Sequence, residues 1–85
     1  FKSTNEAIEK ANQSDFGLGT SIWTNNKTTI KKCTKSIECG TIAINTNVHS
    51  SFDTPFGGRK QSGLGLELGI EGALSFTGYK AILTK

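Results

Sequence analysis

The 85-residue chain has no methionine, one proline and one tryptophan, and only 34% of it is apolar. No apolar run reaches the ~18 residues of a membrane span. No charged start followed by an apolar stretch marks a secretory leader. A membrane partner is therefore not expected. The only cysteines, Cys33 and Cys39, form neither a disulfide framework nor a zinc pattern. Reduced thiols and a cytoplasmic location are expected. A single histidine, His49, and no paired carboxylates argue against a metal site. The net charge of +3 comes from lysines spread along the chain. Lys31, Lys32 and Lys35 group on one predicted helix, yet nucleic-acid binding needs a denser basic stripe with interleaved aromatics. No nucleic-acid partner is expected. Asn12-Gln13-Ser14 and Asn26-Lys27-Thr28 match the glycosylation sequon without a secretory context.

What is present is glycine. Ten residues of this type bring the composition close to that of a globular chain. A chain this short buries only about 60% of its unfolded surface, so its core has a thin margin. The start at Phe1, in the middle of a pattern, reads as an excerpt from a longer soluble protein. A small processed protein is the other reading.

Residues 3–13 predict a helix. Ser3 followed by Glu6 has the form of a capping box, each side chain satisfying a backbone N–H, and Ala7, Ile8 and Ala11 share one face. Residues 18–24 are rich in β-branched and aromatic types and predict a strand. Thr24-Asn25-Asn26 offers cap oxygens for a helix over 27–38, with Ile30, Cys33 and Ile37 on one face. Gly40 stands where a helix end favours positive φ. Thr41-Ile42-Ala43-Ile44 has the near-continuous apolar character of a strand buried on both faces. Strand, helix and strand make a βαβ unit, expected to cross over right-handed in a parallel sheet. Residues 46–63 predict a long polar loop, of a length that is usually functional or disordered. Residues 66–76 predict a helix weakened by Gly69 and Gly72, and 79–84 a final strand.

Six glycines fall between Gly57 and Gly72. Gly57-Gly58-Arg59-Lys60-Gln61-Ser62-Gly63 lacks the ending of a P-loop. Gly63-Leu64-Gly65-Leu66-Glu67-Leu68-Gly69 misses the dinucleotide spacing by one residue and follows no strand. Tight backbone packing is the better reading. His49, Ser50, Ser51 and Asp53 hold the residue types of a hydrolytic triad, but neighbours on one extended loop do not converge as a triad must. The residues alone therefore give part of an α/β protein with a long functional loop and no catalytic group.

Gly40-Thr41-Ile42-Ala43-Ile44-Asn45, followed by Pro55-Phe56-Gly57-Gly58-Arg59-Lys60-Gln61-Ser62-Gly63-Leu64-Gly65-Leu66-Glu67-Leu68-Gly69, resembles the C-terminal signature of the NAD(P)-dependent aldehyde dehydrogenases. Glu6-Ala7-Ile8, Ala11-Asn12, Phe16-Gly17-Leu18, Ile22-Trp23-Thr24 and Phe76-Thr77-Gly78-Tyr79-Lys80-Ala81-Ile82 fit the same pattern, so the resemblance covers essentially the whole chain. It implies an α/β fold: the C-terminal part of the catalytic domain (βαβ unit, long loop, short helix) plus the terminal oligomerisation strand. Residues 1–65 would be the catalytic-domain part with the substrate-tunnel loop, and 66–85 the terminal helix and strand.

In that family a cysteine thiolate attacks the aldehyde, NAD or NADP is reduced, and a glutamate activates water to hydrolyse the thioester. The resemblance places that cysteine, that glutamate and the cofactor domain upstream. No catalytic, cofactor-binding or metal-binding residue is then expected here, and the chain alone should be inactive. Its implied partners are the rest of the enzyme, other subunits in a dimer or tetramer, and a small aldehyde. Phe56 matches the phenylalanine lining the aldehyde pocket, where an aromatic wall suits an apolar substrate and excludes water. Thr46 and Ser50 match positions that vary with substrate. Ser50 stands where succinate-semialdehyde dehydrogenases place a serine on the substrate carboxylate. Asn45, Pro55, Gly57, Gly58, Lys60, Ser62, Gly63, Gly65, Glu67 and Gly69 form the structural motif. The chain departs from the pattern at Leu66, where the family has arginine. Some members pair that arginine with an acidic residue where this chain has Gly78, so both charges are absent together, which avoids an unpaired buried charge. The competing reading is a free-standing, non-catalytic α/β binding module.

Overall fold

Ser3 opens the first helix, α1 (Thr4–Asn12): its extended backbone leads in and its side-chain oxygen accepts the Glu6 N–H at 3.2 Å. The return half of the expected capping box lands one residue early, because the Glu6 carboxylate accepts the Lys2 N–H at 2.6 Å. Two short strands follow, β1 (Phe16–Gly17) and β2 (Gly19–Ile22). Asn26 then caps α2 (Lys27–Ser36), accepting the Thr29 N–H at 2.9 Å. The chain continues through β3 (Thr41–Ile44), β4 (Arg59–Lys60) and α3 (Gly69–Leu74). This computed structural model describes all 85 residues.

The βαβ unit forms as expected. β2 and β3 pair in parallel, with Gly19 opposite Thr41 and Ile22 opposite Ile44. α1 and α2 contact each other, and the buried core is small: Ile8 from α1, Cys33 from α2, Cys39 and Ala43. Both cysteines are free and buried.

Several expectations are corrected. The strand expected at 18–24 is shorter, running as β2 from Gly19 to Ile22 with the separate β1 before it, and it stops there because the Thr24 N–H is taken by the Asn45 side chain instead of a ladder carbonyl. Gly40 does not adopt positive φ; its reason is space, since a Cβ there would lie 1.7 Å from the Gly57 carbonyl oxygen. The loop at 46–63 contains β4, which pairs antiparallel with β1. The helix expected at 66–76 contracts to α3, because Leu68 (φ 61°) and Gly69 (φ 60°) both lie in the left-handed region. No strand forms at 79–84, because no part of this chain lies alongside to complete a ladder. Residues 78–85 make no hydrogen bond within the chain. The radius of gyration is 16.8 Å, against the roughly 12 Å of a compact domain of this length. The excess reflects a long axis of 64 Å across a body about 24 Å thick. No helix is long and apolar enough to cross a membrane.

Candidate functional site

The site is built outward from the end of β3. Asn45 leaves the strand with φ 54°, which asparagine tolerates better than most residues. Its amide continues the pairing that the backbone gives up: Oδ1 accepts the Thr24 N–H at 2.8 Å and Nδ2 donates to the Thr24 carbonyl at 3.1 Å. The chain then enters the segment from Thr46 to Thr54. Val48 sits against Gly19, where an added Cβ would come within 2.8 Å of a Val48 methyl. The His49 Nδ1 lies 3.0 Å from the Asn47 carbonyl, which, being only an acceptor, requires the proton on that nitrogen. The Ser51 hydroxyl donates to the Asp53 carboxylate. That bond, and a smaller one from its own backbone N–H, hold the Asp53 carboxyl below its ordinary value. With Ser51 bonded to Asp53 and His49 turned to Asn47, the three groups form no proton relay.

Pro55 and Phe56 begin the return. Phe56 and Glu67 exchange both backbone hydrogen bonds, at 2.7 and 2.8 Å, in an isolated antiparallel bridge. Between them the chain lies flat on the fold. The Gly57 carbonyl rests on Gly40, and an added Cβ on Gly57 would meet the Gly65 carbonyl at 2.6 Å and Leu66 Cδ2 at 2.7 Å. Leu66 thus covers Gly57 with apolar contact, while Gly78 stands in open space. Gly58 is closed off by Ser62, whose Oγ accepts the Gly17 N–H at 3.0 Å. Gly63 and Gly65 depart from the packing explanation: nothing lies near them, and φ values of 116° and 87° are what require glycine there. Gly69 needs both, with positive φ and the Pro55 nitrogen 2.9 Å from an added Cβ.

Thr46, Ser50 and Phe56 come together on one concavity of about 440 Å³. Its floor is Gly40 through Ile44, and Pro55 flanks Phe56. His49, Ser51 and Thr54 also line it, beside Phe56, which no local pattern in this loop foretells. No acidic residue lines it. Its lining mixes the apolar Ile42, Ala43, Ile44 and Phe56 with the hydroxyls of Thr46, Ser50, Ser51 and Thr54, so the hollow suits a ligand with both an apolar and a hydrogen-bonding part.

Two further residues escaped sequence reasoning. Asn12 does more than end α1: its Nδ2 donates to the Ser36 carbonyl at 2.7 Å and its Oδ1 accepts the Glu38 N–H at 2.9 Å, so it finishes α2. Glu38 meets Lys60 at 3.2 Å. An asparagine beside a helix end was the available signal, but its partner lay over 20 residues away. No group of three or more histidine, cysteine or acidic residues is placed to hold a metal.

In the glycine segment, Gly57 and Gly58 are packed against Gly65, Leu66 and Ser62, while Gly63 and Gly65 have open space where a Cβ would stand. α3, which follows it, has six residues and no side-chain cap, too little helix to offer a pyrophosphate a dipole and a row of free N–H groups.

The comparisons agree along the chain. The profile of the "Aldehyde dehydrogenase family" matches residues 1–82. An aldehyde dehydrogenase, LUC3, of Fusarium sp. is 43% identical over 82 residues, 96% of this chain and 18% of the relative. A probable succinate-semialdehyde dehydrogenase [NADP(+)] of Synechocystis sp. is 46% identical over 77 residues, 91% of this chain and 17% of the relative. Betaine aldehyde dehydrogenase from Staphylococcus aureus, solved in complex with NAD+, superposes with a TM-score of 0.85 at 34% identity, over 89% of this chain and 15% of that one. The chain thus spans less than a fifth of the length of the proteins it matches.

Proposed function

The chain belongs to the aldehyde dehydrogenase family, and on that premise we propose that the protein carrying it oxidises an aldehyde to a carboxylic acid with NAD(P)+ as acceptor. The observation that carries this reading to particular residues is the gathering of Phe56, Thr46 and Ser50 on one concavity beside β3. The nucleophilic cysteine and the water-activating glutamate belong to other parts of the protein. Cys33 and Cys39 are buried away from this hollow, as suits structural thiols. Their reduced state is in keeping with a cytoplasmic protein. The nicotinamide nucleotide is held elsewhere too: the glycine segment has neither the ending of a P-loop nor the dinucleotide spacing.

What this chain supplies is a wall of the substrate passage. Phe56 takes the apolar body of the aldehyde and keeps water from the reacting end. Thr46 and Ser50 offer hydroxyls to whatever polar group the substrate carries. Thirteen large apolar residues are exposed, among them Trp23, Leu64 and Phe76. Exposure on this scale speaks for a part of a larger assembly and against a free-standing binding module.

The test is Phe56→Ala in the whole protein. Loss of an aromatic wall should weaken binding of a long-chain aldehyde by roughly 1–3 kcal/mol, read as a raised KM with unchanged affinity for NAD(P). An unchanged KM for a long-chain aldehyde would remove Phe56 from the passage.

A further inference from the structure

The segment that carries Phe56 needs more than its own turns to stay in place. Phe56 is bridged to Glu67 on one side, and a single bridge leaves a pivot. Four residues further on, Lys60 has φ 55°, a conformation that residues with a Cβ avoid unless something holds them there. The holding contacts come from its side chain. The ammonium lies 2.7 Å from the Asn12 carbonyl, 3.1 Å from the Ser14 carbonyl and 3.2 Å from Glu38 Oε2. An ammonium has three N–H donors, so all three are used. The two carbonyls are at the C-terminal end of α1, where the helix dipole favours a cation. Glu38, in turn, is tied to Asn12 through its own N–H. The backbone adds the pairing of Lys60 with Phe16 and a bond from the Gln61 N–H to the Asp15 carbonyl at 2.9 Å.

We propose that Lys60 is a positioning residue: by tying the end of α1 and Glu38 to the segment Pro55–Ser62, it fixes Phe56 as a rigid wall of the concavity. The inference rests on the reading of Phe56 as a substrate wall and adds to it the group that sets where that wall stands. Lys60 itself lies outside the concavity, so its effect on substrate is transmitted through Gly57 and Gly58, which lie in close contact with Gly40, Leu66 and Ser62.

The experiment compares Lys60→Met with Phe56→Ala in the whole protein, using a long-chain aldehyde and acetaldehyde. Loss of charge-assisted bonds of this kind corresponds to about tenfold or more in an equilibrium. Lys60→Met should therefore raise the long-chain KM about tenfold while leaving the KM for acetaldehyde and the affinity for NAD(P) unchanged. Amide exchange at Phe56 and Glu67 should quicken by a similar factor. Equal loss for both aldehydes, or a lowered melting temperature with unaltered KM values and unaltered exchange at Phe56, overturns the proposal and leaves Lys60 a general stabiliser. If Lys60→Met does not fold, Glu38→Gln removes one arm of the contact, and the same selective rise, about twofold to threefold, is expected; no rise overturns it. If Phe56→Ala leaves the long-chain KM unchanged, the wall reading has failed. Exchange at Phe56 then still decides whether Lys60 holds the segment.

Discussion

Thr41–Ile44 and residues 79–84 are two short apolar stretches with opposite surroundings. The first lies along β2 in a continuous parallel ladder, and its own Ala43 is buried. The second makes no hydrogen bond in the chain, and Tyr79, Ile82 and Leu83 are exposed. The difference lies in what runs alongside. A strand is a property of a pair, and the apolar pattern of the tail states a demand that this chain does not meet. Everything that positions the concavity is on the first side of the divide, where caps, ladder and close glycine contacts converge.

The contrast can be broken most severely at glycine. In the whole protein, Gly40→Ala would place a methyl 1.7 Å from the Gly57 carbonyl oxygen, backbone against backbone. A loss of at least ~3 kcal/mol in denaturant unfolding is expected. Gly78→Ala meets nothing within 4 Å and has no positive φ, and should stay within ~0.5 kcal/mol. A Gly78 variant as damaged as the Gly40 variant would mean that the assembled protein packs the tail as tightly as β3.

Asn45 tests the same region more gently. Asn45→Ala removes both amide bonds to Thr24 and puts an alanine at φ 54°. The expected loss is about 2–3 kcal/mol, from the left-handed backbone and the bonds together. Asn45→Gly restores the backbone freedom alone and should recover about 1 kcal/mol of it. Equal losses in the two variants would show that the bonds carry everything.

The smallest effect on stability, within ~0.5 kcal/mol, is expected from deleting residues 79–85, since they bond to nothing here. Their effect should be on association instead. Exposed apolar strands invite pairing between chains, so the 85-residue chain alone should self-associate in light scattering and the shortened one less so. Identical monodisperse monomers at both lengths, at roughly 100 μM, would erase the distinction between the two stretches.

Much of the first region was legible because its signals are local. Ser3 and Asn26 cap the helices that follow them, and the apolar run at 41–44 is β3 within the bounds read from sequence. β1 and β4 were not legible, because two residues carry no periodicity. The contraction of α3 was hidden because leucine at φ 61° violates the residue's own preference. Of the concavity, Phe56, Thr46 and Ser50 were found through family likeness rather than spacing. His49, Ser51 and Thr54 join them only because the chain folds back at Asn45 and again at Pro55, and neither angle is written in composition.

The parallel register has a consequence for length. Ile22 stands opposite Ile44, so the residues after β2 and after β3 arrive at one rim although 22 positions separate them. The ladder acts as a ruler that counts both segments to the same mark. Deleting one residue within Thr41–Ile44 would miscount by one, turn the side chains of that strand to opposite faces, and carry Asn45 away from Thr24. A residue added among the exposed His49, Ser50 and Ser51 leaves the count along the ladder untouched. The frame is rigid where the chain is measured against itself, at the ladder, at Val48 on Gly19 and at the Phe52 carbonyl that accepts the Gly69 N–H, so added length that spares those contacts would alter the concavity and leave the frame as it is.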